Sequence, residues 1–589
     1  MSQTLLRSTL AATVAALGLV GCGEEVQLED GSTPGMDGGN GLDGGDGGNG
    51  LDGGDGGSLT CRGFGETLCG AECVNTQGNP ANCGGCGVAC AAAEVCVSNA
   101  CADSCPTSLT ACAGTCVDLN TDNAHCGACG TACPAGEGCT AGSCEPSIEL
   151  GPPPARCVGG GPSIEIGPVC TGRTAGATFT HGLCTCRDLG PPGREVSTLR
   201  VDAYDSTMGP YVPGGLGGDV GVNGDARTSR VEVWGDITTT GAAGFRVRDL
   251  TDVYEDVATR NGLQLEARLD VRGAARVSGP IAGDGSLAVG GTLETDLACG
   301  SWTASVTAGM CISGPVTVEE PCPCDVTELI PVQEIVTYFA DPSRNDNATV
   351  GLDPAALAAP GGRRRLDLPC GYYHLSQIHG GDGTTIAVHG RTAIFITGSI
   401  QVGAELSFAL DPGATLDVFV AGTFNSSGDL WIGNPAYAAQ SRFYVGGVCD
   451  DAGGSCSLDA DCCSQDCGPG GTCVGTGPEF SVRLSSDTVM SGLLYGPYGP
   501  FITSDPLEMF GAIFAGDYHS SDTTRVHYDL RSLRLGDDCP DPDPVPDGGV
   551  PADGGVPSPC GPGVQQCGPG LPACPAGDTC FTGCCVTFG

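Results

Sequence analysis

Thirty-nine cysteines and seven histidines hold most of the chemistry open to this 589-residue chain. Two Cys-x2-Cys pairs, Cys83/Cys86 and Cys126/Cys129, have the spacing of zinc ligands. His374, His379 and His389, with Asp367 and Asp382, form the densest set of groups suited to acid–base work. His374 and His379 differ in parity, so an extended strand turns them to opposite faces. His389 stands in a turn-like Val-His-Gly-Arg, and His519 and His527 are separated by a polar loop. No Gly-x-Ser-x-Gly elbow, His-Glu-x-x-His or phosphate loop occurs. These histidines therefore read as solvated or locally hydrogen-bonded, with no catalytic residue, cofactor or metal expected. Arg363-Arg364-Arg365 follows Pro360-Gly361-Gly362 and reads as a solvated loop.

The cysteine spacing carries more information. Cys61, Cys69, Cys73, Cys83, Cys86, Cys90, Cys96 and Cys101 are followed by Cys105, Cys112, Cys116, Cys126, Cys129, Cys133, Cys139 and Cys144. From the second cysteine onward each recurs 43 residues later, which defines a tandem repeat. Eight cysteines in so short a unit suit four disulfides in an oxidising compartment better than one zinc ion. The repeats lack apolar residues for a core, so the bridges replace it, each contributing about 2–4 kcal/mol. His125 stands where the first copy has Asn82, which marks a loop residue, not a ligand. The unit, Cys-x3-Cys-Val followed by Cys-Gly-x-Cys-Gly-x-x-Cys, resembles the cysteine-rich repeat of the stigma-specific protein family. That family occurs in plants and in bacterial surface lipoproteins, and the resemblance implies a small secreted module without catalytic activity. Cys449, Cys456, Cys462, Cys463, Cys467 and Cys473 resemble an inhibitor cystine knot. A tail adds Cys560, Cys567, Cys574, Cys580, Cys584 and Cys585. Cysteine counts in repeats, knot, tail and the remaining domain are all even, leaving Cys22 over and predicting disulfides within modules.

Cys22 has a role of its own. An apolar run from Leu10 to Val20 is too short to span a bilayer but suits a signal peptide. It ends in Leu19-Val20-Gly21-Cys22, which resembles a bacterial lipobox and implies lipidation at Cys22. Outer-membrane or cell-surface placement is the expectation, with the lipid as the membrane attachment. Residues 24–57 carry acidic groups but no basic one and repeat a nonapeptide at 40–48 and 49–57. Gly45 and Gly54 stand where a calcium-binding nonapeptide needs large apolar residues, so the segment reads as a flexible spacer. A net charge of −44, with no lysine at all, argues against nucleic acid as a partner.

The elements that would position any site lie in the large domain. Short Val-, Ile- and Thr-rich runs broken by glycine predict a mainly β chain. Nine aliphatic-x-Gly-x-apolar pentamers begin at Val212, Leu216, Val233, Val277, Val289, Ile312, Ile396, Val420 and Leu494. The runs beginning at Phe395, Phe419 and Phe443 are spaced 24 residues apart. Such a register predicts a parallel β-solenoid, in which one position stacks from coil to coil; a β-sandwich explains it less well. Val332, Ile335, Val336 and Phe339 follow helical spacing, and this helix could join two solenoid halves. The rungs resemble bactofilins, and the ending Val526-His527-Tyr528-Asp529-Leu530 resembles the closing motif of some pilus-assembly proteins.

The organisation expected is therefore a signal peptide and lipobox (1–22), an acidic tether (23–60), two cysteine repeats (61–144) and a Pro/Gly joint (145–168). A β-solenoid (169–538) with a knot insertion (449–473), a linker (539–559) and a cysteine-rich tail (560–589) follow. The expected function is that of a lipid-anchored extracytoplasmic structural, binding or adhesion protein, its partner a glycan or protein at the cell surface. A polysaccharide-active β-helix enzyme is the alternative, and a fibre-forming envelope subunit the second.

Overall fold

The computed structural model describes residues 66–539 apart from short breaks (70–71, 77–78, 98–99, 106–108, 141, 167–168, 194–195, 210, 328, 412, 451, 478 and 537–538). In the tail it describes 565, 567, 574–575, 578–581 and 584–587. The leader with Cys22, the tether, Cys61, the linker beyond Cys539 and Cys560 lie outside these residues. All described residues belong to one compact unit, Gly56–Gly589. No described helix is long and apolar enough to cross a membrane.

The large domain is a parallel β-solenoid with three faces. On one face thirteen strands pair in register, one per coil. Side chains alternate inward and outward along each strand. The inward position traces one column: Leu366, Ile386, Phe408, Ile432, Met490, Met509, Val526, Val201, Val233, Val253, Val271, Val289 and Ala308. Nearly all are buried in the central core, each large one contributing roughly 1.5–3 kcal/mol. At corners the chain must turn sharply against the coil below. Gly262 has φ 97°, and a Cβ there would lie 2.2 Å from the Pro280 carbonyl oxygen, so only glycine fits. Of the nine pentamers, those at Val212 and Leu216 are not coils. Both side chains are exposed on a loop.

The column also shows that coil order is not chain order. The chain enters in the middle of the solenoid, at Leu183–Thr185 and Val196–Tyr204. It winds to one end at Ser305–Ser313, crosses to the other end at Arg364–Leu368, and winds back. Its last coil then lands on its first: Leu183 pairs with Ile513, and Leu199 with Thr524. Disulfides fasten this arrangement. Cys170–Cys539 joins the two chain segments that meet at the seam. Cys184–Cys322 and Cys186–Cys324 pin the returning segment, and Cys157–Cys370 ties the Pro/Gly joint to the solenoid.

Corner aspartates explain part of the acidity. Asp219, Asp236 and Asp256 each accept the backbone N–H of the residue one coil on, at 2.9, 2.8 and 2.7 Å. A second row, Asp517, Asp188 and Asp225, does the same and crosses the seam. Arg227 bridges Asp188 and Asp225, and Arg187 pairs with Asp517.

The helix over Val332–Phe339 forms as its spacing predicts, with Val332, Ile335, Val336 and Phe339 buried. It lies in the segment that joins the two halves along the chain, and it packs against the outside of the second half. There it covers an aromatic ladder. Phe339 stacks on Phe395 (4.1 Å), Phe395 on Phe419 (5.4 Å) and Phe419 on Tyr444 (4.6 Å). The 24-residue register thus holds for one step and then gains a residue. Tyr444, not Phe443, pairs with Phe419, while Phe443 turns into the core beside Val418. The extra residue is accommodated by the irregular turn Pro435–Gln440.

The small modules close their own bridges. The second repeat pairs Cys105–Cys116, Cys112–Cys129, Cys126–Cys139 and Cys133–Cys144. The first has the corresponding Cys69–Cys86, Cys83–Cys96 and Cys90–Cys101. In the knot, Cys449–Cys463, Cys456–Cys467 and Cys462–Cys473 link first to fourth, second to fifth and third to sixth. Cys299–Cys311 and Cys574–Cys585 are bridged as well. The knot touches neighbouring coils through Ser399–Asp461 and Ser457–Gln377 hydrogen bonds. Loop closure costs little extra with length, so replacing 449–473 by a short Gly-Ser turn should leave the solenoid folded. Circular dichroism should keep its β signature with a small shift in melting midpoint; collapse of the transition would show that the knot is core structure.

Candidate binding cleft at the repeat–solenoid junction

One end of the solenoid is closed by the second cysteine repeat. Its strand Ser143–Ile148 pairs in parallel with Arg364–Leu368, setting Ser147 beside Arg365 and Ile148 beside Leu366. Arg365 fastens the contact. Its side chain is 3% exposed, and Nη1 donates to the carbonyls of Thr121 (3.0 Å) and Cys139 (2.6 Å). Nε donates to both Asp367 oxygens, at 2.9 and 3.1 Å. Arg364 donates to the His379 and Ala356 carbonyls. The expectation of a solvated arginine loop is thus corrected for Arg364 and Arg365. A guanidinium is the group that can satisfy several carbonyls left unpaired where a sheet ends.

Asp367 begins a column across three coils. His389 Nε2 meets Asp367 at 3.1 Å, and His389 Nδ1 meets Asp411 at 2.8 Å. Ser147 donates to the other Asp367 oxygen at 3.0 Å. Burial opposes charge on His389, but hydrogen bonds and charge from Asp367 and Asp411 outweigh it and push its pKa up to about 9. Burial also resists ionisation of Asp367, yet His389 and Arg365 hold its carboxyl below the usual range. Asp411 was missed by sequence reasoning. Its signal is the spacing: 367, 389 and 411 are 22 apart, one coil each.

Beside this column a cleft of about 430 Å³ runs between the cysteine repeats and the solenoid face. Its solenoid side carries His389, Asp411 and Trp431, and its repeat side Asp118, Asp122 and Asn123. Trp431 is 37% exposed and stands outward on Asp429–Ile432. Val95 and Val97 of the first repeat pack on Ala436 at the far rim.

The other sequence-named residues do not join this site. His374 lies near Thr397 (3.3 Å) on another face, and His379 Nδ1 accepts from the Gly381 N–H; burial lowers both pKa values. Asp382 is exposed. His125 Nδ1 accepts the Gly130 N–H at 2.8 Å, as Asn82 Oδ1 accepts that of Gly87 at 2.9 Å, so the swap between copies preserves one turn bond. The zinc-spaced Cys83, Cys86, Cys126 and Cys129 are all disulfide-bonded. His527 is set at the seam between Asp202 (2.6 Å) and Glu508 (3.3 Å), with Tyr211 donating to Asp202. Burial resists its charge and the two carboxylates raise its pKa.

Because the folded pKa of His389 is raised, its contribution to stability is complete below the unfolded value near 6.5 and is lost as pH rises through about 9. Denaturant midpoints measured across that window should fall more for the native chain than for His389→Gln. Equal slopes would show that the imidazole does not hold its proton on folding.

Residues 97–147 match the Stigma-specific STIG1-like protein family, a span that covers the second cysteine repeat. No curated protein and no solved structure matches the chain. The likeness to that family is carried by the repeat whose strand closes the solenoid.

Proposed function

We propose that this chain is a lipid-anchored extracytoplasmic binding protein whose cleft takes a neutral glycan. The observation that carries the reading is Trp431, a half-exposed aromatic plane in a cleft rimmed by Asp411, Asp122 and Asn123. A sugar ring stacks on an aromatic face while its hydroxyls donate to carboxylate and amide oxygens. The net charge of −44 disfavours polyanionic ligands. Binding is favoured over hydrolysis by the state of His389. Both its nitrogens are held by carboxylates, so it is no free base near neutral pH. Incubating the chain with neutral and acidic glycans tests this reading. Neutral glycans should bind without product release, and Trp431→Ala should weaken binding roughly 10-fold or more, about 1.4 kcal/mol. Product release would favour the enzyme alternative; no glycan binding would favour a protein partner.

The anchor is supported by the apolar run and the lipobox-like Leu19-Val20-Gly21-Cys22. Many disulfides are compatible with an extracytoplasmic site. Palmitate labelling should be lost in Cys22→Ser, with the precursor uncleaved. A variant processed normally and still membrane-bound would remove the anchor from the reading.

A further inference from the structure

We propose that the C-terminal cysteine module is a third copy of the repeat and that it closes the second end of the solenoid. The first end is closed by strand Ser143–Ile148 of the second repeat, and the last inward residues there, Leu366 and Leu368, are fully buried. At the other end Ser305–Ser313 pairs on one side with Ser286–Thr295. Among the described residues no strand pairs with its outer edge. Its core-facing Val306, Ala308 and Cys311 are only partly buried, as is Trp302 nearby, whereas Leu287, Val289 and Leu293 one coil in are buried. A solenoid end needs a cap, and this strand has neither the charge nor the proline that commonly protects an edge.

The tail repeats the module that caps the first end. The spacing of Cys126, Cys133, Cys139 and Cys144 recurs in Cys567, Cys574, Cys580 and Cys585, and Cys133-Pro134-Ala135-Gly136 recurs as Cys574-Pro575-Ala576-Gly577. The folded modules agree. Cys574–Cys585 corresponds to Cys133–Cys144. Strands Asp578–Phe581 and Cys584–Thr587 set Cys580 against Cys585, as Glu137–Thr140 and Ser143–Ile148 set Cys139 against Cys144. In both earlier copies this hairpin joins a further strand: Val95–Val97 lies beside Thr115–Val117, and Ser143–Ile148 beside Arg364–Leu368. Among the described residues the tail hairpin is a two-stranded sheet by itself.

The sequence of the tail fits the second end and not the first. The two ends of a parallel stack are opposite edges, so a hairpin that keeps its strand parallel must be turned over to serve the second. Its other face then meets the core. In the second repeat Pro146 and Ile148 share one face, and Ile148 packs against the core. Glu145 and Ser147 share the outer face, where Ser147 bonds to Asp367. The counterparts of Pro146 and Ile148 are Thr587 and Gly589, and those of Glu145 and Ser147 are Val586 and Phe588. The apolar residues have changed face, as the inverted position requires. The Gln565 carbonyl accepts the Cys585 N–H, so the open edge begins at Thr587, just before the counterparts of the Ser147 and Ile148 contact. The tail also reaches. Ser305–Ser313 is five coil steps from the seam, about 24 Å at roughly 4.8 Å each. Residues 540–559 span about 25 Å as a flexible coil and about 60 Å when extended. In residues 560–589 Asp578 is the one charged side chain, so the net charge of −44 opposes docking little.

A photo-crosslinking phenylalanine analogue at position 588 of the full chain tests the proposal. Peptide mapping of the product at monomer mass should place the label on residues 302–313 of the same chain. Hydrogen exchange gives a second reading. Phe588→Asp should speed exchange in Ser305–Ser313 roughly 10-fold or more and leave Thr523–Asp529 unchanged. Gly589→Ser, on the opposite face, should leave both unchanged. Cys567 should be found bridged to Cys580, as Cys126 is to Cys139. Labelling elsewhere, labelling across two chains, exchange indifferent to Phe588→Asp, or another partner for Cys567 would overturn the proposal.

Discussion

The landing of the last coil on the first holds the solenoid together. Thr523–Asp529 and Val196–Tyr204 are separated by the whole domain in sequence, yet they pair over seven residues. Without that contact there would be two half-solenoids, each with one more bare end. At the seam, coils from opposite ends of the chain pair edge to edge, so each satisfies backbone donors and acceptors the other would leave open. Tyr518 beneath Leu189, and the Asp517–Asp188 step of the corner row, make the join continuous with the coils on either side.

Other features follow from this topology. A chain that enters mid-solenoid must run back along the outside, and that segment needs its own attachment. The helix Val332–Phe339 supplies it by covering the aromatic ladder. The Tyr495 hydroxyl accepts the Ile330 N–H, and the Tyr498 hydroxyl donates to the Ile330 carbonyl, just before the helix. Two parallel disulfides, each spanning 138 residues, hold the segment beside the entry strand. The cysteine repeats then meet a sheet end that is fixed in place, and Arg365 can be buried there because its partners do not move away.

Periodic features were legible in the sequence, and non-local ones were not. The helix was readable because four apolar residues at helical spacing admit one face. Phe395 and Phe419 revealed the coil length, since stacking repeats the same residue at the same place. Tyr444 broke that rhythm because Pro435–Gln440 inserts a residue, and nothing local marks which coil will lengthen. The seam left no trace, as parallel pairing imposes no complementary residues on distant strands. Asp367, His389 and Asp411 could be joined only by knowing the coil length at that place. Arg365 was misjudged because three arginines in a row look solvated until the strand at its side is known.

The seam also bears on the order in which the chain can fold as it is delivered from its N-terminal side. The N-terminal coils appear first, but Val196–Tyr204 must wait with one edge unpaired until residue 529 has been delivered. Contacts so distant in sequence slow folding and lengthen the exposure of sticky edges. Cys170 likewise waits for Cys539. Their bond can form natively only after residue 539 has been delivered, so it marks molecules whose circuit has closed.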